Sequence, residues 1–274
     1  MICFPNAKIN IGLNIVSKRE DGYHNLETLF YPIPVADSLE ITTAPQGEET
    51  SFENFGIQVD GDAGNNLVLK AYRLLSSEFN LPPLRVYLRK NIPFGAGLGG
   101  GSADAAFMIK LLNQKFSLGL TEEQMEGYAS KIGADAPFFI RNKPVFATGI
   151  GNEFHPVDFS LKGYHLVLIK PDVSVSTPEA YSLVKPCQPE IPLTEIIRRP
   201  VEEWKDLLRN DFEESVFAKK PVIGQIKQQL YDMGAVYASM SGSGSSVFGI
   251  FNEQQSLAEL KQKFQCFCFT APFE

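Results

Sequence analysis

From residue 7 to residue 15 the chain alternates without a break. Ala7, Ile9, Ile11, Leu13 and Ile15 fall on one face; Lys8, Asn10, Gly12 and Asn14 fall on the other. Period two predicts a β-strand with one polar side. Asp21-Gly22 predicts a turn. Residues 39–43 read as a second strand. Residues 66–79 carry helical spacing through Leu69, Tyr72, Leu75 and Phe79, and residues 84–88 read as a strand. Pro93 ends the segment after it. Residues 102–116, rich in Ala, Ile and Leu, predict a helix with Ser102 as its N-cap. Thr121 with Gln124 makes a capping box, and Gly133 sits where that helix would stop. Residues 138–140 and 145–148 are short apolar runs.

Gly149-Ile150-Gly151-Asn152 predicts a hinge. It would divide the chain into an N-terminal nucleotide-binding domain, 1–152, and a C-terminal substrate-side domain, 153–274. Beyond it the pattern gives a strand at 164–170, helices at 178–184 and 201–218, and a helix at 221–233 stopped by Gly234. A strand, the loop SGSGS, another strand, a helix at 253–264 and a last strand complete the chain. This order suits an α+β second half of ferredoxin-like type.

Composition narrows the function classes. The chain has 274 residues, 44% of them hydrophobic and 21% charged, with a formal net charge of -7. A nucleic-acid partner would ask for a basic face, so none is expected. No apolar run is long enough to span a bilayer. The start, MICFPNAKIN, lacks a basic region followed by an apolar core, so no signal peptide is expected. Cys3, Cys187, Cys266 and Cys268 have the spacing of neither a disulfide framework nor a zinc site. Free thiols and a cytoplasmic location follow. The pattern sets no oligomeric state.

The chemistry begins at PFGAGLGGGSADAA, residues 93–106, where five of the seven residues from Gly95 to Gly101 are glycine. A Walker A loop would need a Lys before the Ser, and none is there. Gly95, Gly97 and Gly100 satisfy the dinucleotide string GxGxxG, but the acidic pair that follows, Glu122 and Glu123, opens a helix rather than ending a strand. A protein-kinase loop needs a later HRD and DFG, which are absent. The shared physics remains. A glycine loop feeding a helix offers backbone N–H groups and a positive dipole end, so it is expected to wrap a nucleotide di- or triphosphate. Lys8 and Asn10 read either as an ordinary wet face or as polar groups of a site. Asp135, in IGADAPFFI, reads as an N-cap ahead of Pro137 or as a catalytic carboxylate, and the two are compatible.

PNAKINIGLNI, DGYHNLETLF, PFGAGLGGGSADAA, GADAPFF and MSGSGSSVFG together resemble the ordered motifs of the 4-diphosphocytidyl-2-C-methyl-D-erythritol kinase family. That family belongs to the galactokinase, homoserine kinase, mevalonate kinase and phosphomevalonate kinase superfamily. The resemblance implies the two-domain α+β fold of those small-molecule kinases. It also implies transfer of phosphate from ATP to the 2-hydroxyl of a cytidine-diphosphate-linked methylerythritol, in the non-mevalonate route to isoprenoids. By the resemblance, Asp135 is the general base and Lys8 orients it, while Asn10 holds polar groups of the substrate. Pro93, Gly95, Ala96, Gly97, Leu98, Gly99, Gly100, Gly101 and Ser102 cradle the ATP phosphates, with Mg²⁺ bridging them and Ser102 as its protein ligand. Asn66 and Lys90 correspond to further nucleotide contacts. Tyr23 and His24 match the cytosine site, with Tyr181 on the other face of the base and Thr177 a further substrate contact.

Two departures stand out. Ala103 replaces a serine common in the family, which leaves any magnesium role to Ser102. Tyr181 stands where phenylalanine is frequent and keeps the stacking plane. Another alcohol kinase of the superfamily, or a nucleotide-binding module without turnover, are the alternative readings.

Overall fold

The predicted strand at 7–15 extends at both ends, running Asn6–Lys18. Its apolar face is buried, with Ala7, Ile9, Ile11 and Ile15 fully enclosed. The opposite face is enclosed too: Lys8 and Asn10 are each 3% exposed. An ordinary wet face is therefore ruled out, and the burial of an ammonium needs polar partners to offset its lost hydration.

The structure is a computed structural model and describes residues 1–57 and 66–273. In chain order the first elements are β1 (Ile2–Cys3), β2 (Asn6–Lys18), β3 (His24–Ala36), β4 (Ser38–Thr43) and β5 (Ser51–Gly56). Then come α1 (Leu67–Phe79), β6 (Leu84–Lys90), α2 (Gly100–Phe116), α3 (Glu122–Ser130) and α4 (Phe138–Arg141). Next are β7 (Val145–Thr148), β8 (Glu153–Pro156), β9 (His165–Lys170), α5 (Thr177–Tyr181), α6 (Leu193–Ile196) and α7 (Trp204–Leu207). The last are α8 (Glu213–Lys219), α9 (Pro221–Asp232), β10 (Tyr237–Met240), β11 (Val247–Phe251), α10 (Leu257–Phe264) and β12 (Phe267–Pro272).

Two compact units share the chain. The first comprises residues 1–7, 35–94 and 99–143; the second comprises 8–34, 95–98 and 144–274. In the first, the strands lie in the order β1-β4-β6-β5, antiparallel except for β5 against β6. Helix α2 packs against α1, α3, α4, β1 and β4. Being surrounded, it needs small residues, and Ala103, Ala105 and Ala106 are fully buried.

The second unit holds the sheet β2-β3-β7-β8 and the antiparallel sheet β10-β11-β9-β12. Counted from β9, the latter has the order 2-3-1-4, with helices after its first and third strands. That is the ferredoxin-like arrangement expected from the pattern. Leu13 and Ile15 of β2 join its core beside Val167, Ile169 and Val247.

Several expectations need correction. Helix α2 starts two residues early, at Gly100, with Gly99 at the N-cap in the left-handed region (φ 70°), so Ser102 lies inside the first turn and caps nothing. The N-cap of α4 is Pro137, so Asp135 is not a cap either. Gly149–Asn152 is the turn of the antiparallel hairpin β7–β8 inside the second unit rather than a hinge. The helix expected over 201–218 breaks, with Leu208 extended at φ -94°, ψ 130°. The cause is tertiary. Arg209 and Asp211 hydrogen-bond through their backbones to Leu13, the Asp211 carboxylate accepts from the Ile15 N–H at 2.6 Å, and this finishes the open edge of β2. Among the described residues no helix is long and apolar enough to cross a membrane.

Candidate active site

The glycine-rich stretch links β6 to α2. Within the second unit, three of its carbonyls are turned onto protein donors. The Ala96 carbonyl accepts from the Ser246 N–H at 3.2 Å and the Leu98 carbonyl from the Lys8 N–H at 3.0 Å. The Gly97 carbonyl accepts from the Ser241 hydroxyl at 2.9 Å and from Lys8 Nζ at 3.3 Å. Ala96 and Leu98 bury their side chains, so the residues between glycines act as anchors. Gly97 is demanded by the protein itself: at φ +72°, a Cβ there would sit 2.0 Å from the Ser241 carbonyl oxygen. The SGSGSS loop is thus more than a hairpin connection. Asn210 fixes it by donating to the carbonyls of Met240 and Gly242, each at 2.8 Å.

Lys8 is held by the same unit. Its ammonium donates to Asn10 Oδ1 at 2.5 Å and lies 4.6 Å from the centre of the Phe30 ring. Asn10 Nδ2 donates to Thr28 Oγ1 at 3.0 Å, and the Thr28 hydroxyl donates to the Gly12 carbonyl at 2.6 Å. Each donor finds an acceptor, so the chain Lys8–Asn10–Thr28–Gly12 fixes both the direction of the amide and the position of the ammonium. Thr28 was missed in the sequence because β3 was. Pro32 and Pro34 disguise that strand. They lie beyond the part of it, Thr28–Phe30, that pairs with β7, so their missing N–H groups cost that ladder nothing.

The same unit carries the aromatic residues. His24, at the start of β3, stacks on Tyr181 of α5, with ring centroids 4.8 Å apart and planes 24° apart. The edge of Phe212 meets Tyr181 at 4.7 Å, and burial pushes the Tyr181 phenol up. Tyr23 stands 62% exposed in the preceding turn, and Thr177 opens α5 exposed to solvent. The structure therefore brings His24, not Tyr23, onto the face of Tyr181.

The first unit carries further candidate residues. The N–H groups of Gly100, Gly101 and Ser102 belong to the first turn of α2, where no carbonyl of that helix can reach them. The GADAP turn lies beside them: a Cβ on Gly133 would be 3.7 Å from Ser102 Oγ. Asp135 sits in that turn, just ahead of α4. Pro93 is buried at the loop entrance. Asn66 caps α1, its Oδ1 accepting from the Val68 N–H at 2.9 Å.

Lys90 is held by side chains of its own unit. Its ammonium is enclosed between the carboxylates of Asp37 and Asp104, with the Asp104 contact at 2.6 Å. Burial works against the charge of Lys90, but the two carboxylates outweigh it and its pKa rises. Burial, helped by Asp37, pushes Asp104 up to about 8 against the pull of Lys90. Two of its three N–H donors are thus engaged within the first unit. Neither aspartate was singled out in the sequence, since nothing local distinguishes a buried carboxylate from a solvated one.

Comparison with known proteins bears on these features. The family "GHMP kinases N terminal domain" matches residues 66–143, and "GHMP kinases C terminal" matches residues 193–269. The 4-diphosphocytidyl-2-C-methyl-D-erythritol kinase of Bacteroides fragilis is 60% identical over 271 residues, covering 98% of each chain. The protein of the same name from Porphyromonas gingivalis is 48% identical, covering 94% of each. A crystal structure of 4-(cytidine 5'-diphospho)-2C-methyl-D-erythritol kinase superposes with a TM-score of 0.85 at 28% identity, over 100% of this chain and 99% of that one. The mevalonate kinase of Methanococcus jannaschii, at 16% identity, shares the fold with a TM-score of 0.71. On these matches the chain is a small-molecule kinase of the GHMP group, and it belongs to the 4-diphosphocytidyl-2-C-methyl-D-erythritol kinase family.

Proposed function

We propose that this enzyme transfers the γ-phosphoryl group of ATP to the 2-hydroxyl of 4-diphosphocytidyl-2-C-methyl-D-erythritol, releasing ADP and the 2-phosphate. The observation that carries the reading is the polarity of the glycine loop. Three successive carbonyls, from Ala96 to Leu98, are taken by protein donors, while the first-turn amides of α2 are left to an outside acceptor. Such amides, at the positive end of a seventeen-residue helix, suit a polyphosphate.

Phosphoryl transfer asks mainly for positioning and for neutralised charge. Lys8 supplies a fixed cation and Asn10 a fixed amide for oxygens of the substrate. Asp135 takes the proton of the attacking hydroxyl as the phosphoryl group is transferred, and Lys8 steadies the acceptor oxygen. Ser102 Oγ is a hard oxygen donor on the first turn of α2, which suits Mg²⁺, an ion held largely by phosphates and water. Among the described residues no cluster of three or more His, Cys, Asp or Glu could hold a metal, so the hydroxyl and the nucleotide would carry it. When bound, the ion offsets the charge of the phosphates.

The cytosine ring takes the face of Tyr181 that His24 covers, the imidazole swinging aside to admit it, and Tyr23 and Thr177 close around it. Residues 1–152 contribute the nucleotide loop and residues 153–274 contribute Tyr181. The four cysteines are free thiols, which supports a cytoplasmic enzyme.

A coupled ADP-release assay with Mg-ATP tests this, offering the cytidylyl substrate beside mevalonate, homoserine and galactose. ADP release is expected with the first alone. Release with one of the others would keep the phosphate loop and overturn the cytosine site. Silence with all four, from folded protein that binds ATP, would overturn the kinase reading for this substrate set.

A further inference from the structure

Three buried ionisable groups stand where the chain enters and leaves the glycine loop, and none takes part in the reaction proposed above. Asp37, Lys90 and Asp104 are 0%, 4% and 2% exposed. Asp37 stands at the corner between β3 and β4. One of its oxygens accepts from the N–H groups of Asn91 and Ile92, at 2.6 and 2.8 Å, where the chain enters the loop. Its other oxygen pairs with Lys90 Nζ. Lys90 Nζ also reaches Asp104 Oδ2 at 2.6 Å, on α2, where the chain has left the loop. The fit is close: a Cβ on Gly100 would stand 2.9 Å from Ile92 Cγ2 and 3.4 Å from Lys90 Nζ.

This arrangement is costly as a way of holding a core together. Burying ions forfeits hydration that their mutual attraction barely restores, and well-packed apolar residues would serve stability as well or better. Two carboxylates face one ammonium, and Asp104 Oδ1 is buried with no hydrogen-bond partner. What the charges do supply is direction. Asp37 fixes the backbone N–H groups at the loop entrance, and Lys90 ties Asp37 through Asp104 to α2 at the exit.

We infer that Asp37, Lys90 and Asp104 form a positioning cluster that holds the entrance and exit of the glycine loop at the separation its N–H groups need to grip the phosphates of ATP. This rests on the reading of that loop as an ATP site. The three residues touch no reacting atom; they act through the loop. Their loss therefore weakens ATP binding and leaves the alcohol substrate's own affinity alone, which general destabilisation of the fold would not do.

The test compares wild-type enzyme with D104A and D104N. It measures ATP dissociation constants by calorimetry, KM for both substrates, and Tm. D104A is expected to weaken ATP binding by roughly tenfold or more, as a displaced binding group does, with KM for the cytidylyl substrate changed by less than about twofold. D104N keeps the shape and an acceptor for Lys90, and is expected to recover most of the loss. Unchanged ATP affinity in a folded D104A, or parallel loss of both affinities, would overturn the inference and leave the ATP reading standing. Should D104A fail to fold, D37N puts the same question at the loop entrance, with the same two outcomes. A wild-type enzyme that binds no ATP would remove the loop reading and the cluster's role together.

Discussion

Single residues in this molecule carry tasks that neighbours of the same type do not share. The glycines of the loop show this. Gly97 is fixed by the Ser241 carbonyl behind it, whereas a Cβ on Gly101 would meet only Leu67 at an ordinary 3.5 Å. Gly97→Ala is therefore expected to cost about 1–3 kcal/mol in backbone strain alone, with the overlap adding to it, seen as a lowered denaturation midpoint. Gly101→Ala sits in the first turn of α2 and is expected to leave the fold intact or gain about 0.5–1 kcal/mol. Its added methyl would still crowd a bound phosphate and raise KM for ATP. Equal stability losses in the two variants would contradict this division. Asp135→Asn should lower kcat by roughly 10²–10⁴-fold, the usual worth of a general base, with ATP still bound. Near-normal turnover would remove Asp135 from that role. The glycine run, Lys8 and Asp135 were legible in the sequence because their chemistry is local. Thr28, Asp37 and Asp104 were not, because each matters only through a partner far along the chain, such as Gly12 or Lys90.

At the scale of elements, periodicity served where one face alone decides. The strand at 7–15, the capping box of α3 and the stop of α9 at Gly234 stand as the pattern predicts. It failed where a partner decides, as in the interruption at Leu208 forced by the edge of β2, or in β3 with its two prolines. The pairing of Asp104 on α2 with Lys90 on β6 has a consequence for pH. Asp104 is pushed up to about 8 in the folded chain, from about 4 when unfolded. The native state thus holds a proton that the unfolded state gives up, so this group's contribution is full below about pH 4 and declines as pH rises toward 8. Wild type should lose stability over that window relative to D104N, measured by denaturant midpoints at matched salt. A parallel pH dependence in the two proteins would refute it.

For the whole molecule, the ferredoxin-like order of β9 to β12 followed from the element sequence, but the division into units did not, since both units are discontinuous. The chain passes between them at residues 7/8, 34/35, 94/95, 98/99 and 143/144. Trp204, the only tryptophan, is fully buried in the second unit and donates to the carbonyls of Ile196 and Arg199. With so many covalent crossings, the two units are expected to melt together. Tryptophan emission and far-UV circular dichroism should then trace one transition, and separated midpoints would show the units unfolding independently. The weave also bears on ancestry and recombination. A chimera made with a relative by one crossover anywhere from residue 8 to residue 143 gives each unit a mixed parentage, and one placed beyond Gly97 tests the Gly97–Ser241 contact and the pairing of β2 with Arg209 and Asp211 against foreign partners at once. Only an exchange that moves 8–34, 95–98 and 144–274 as a set transplants one unit whole, which makes gene shuffling within this fold far less forgiving than its two-part family description suggests.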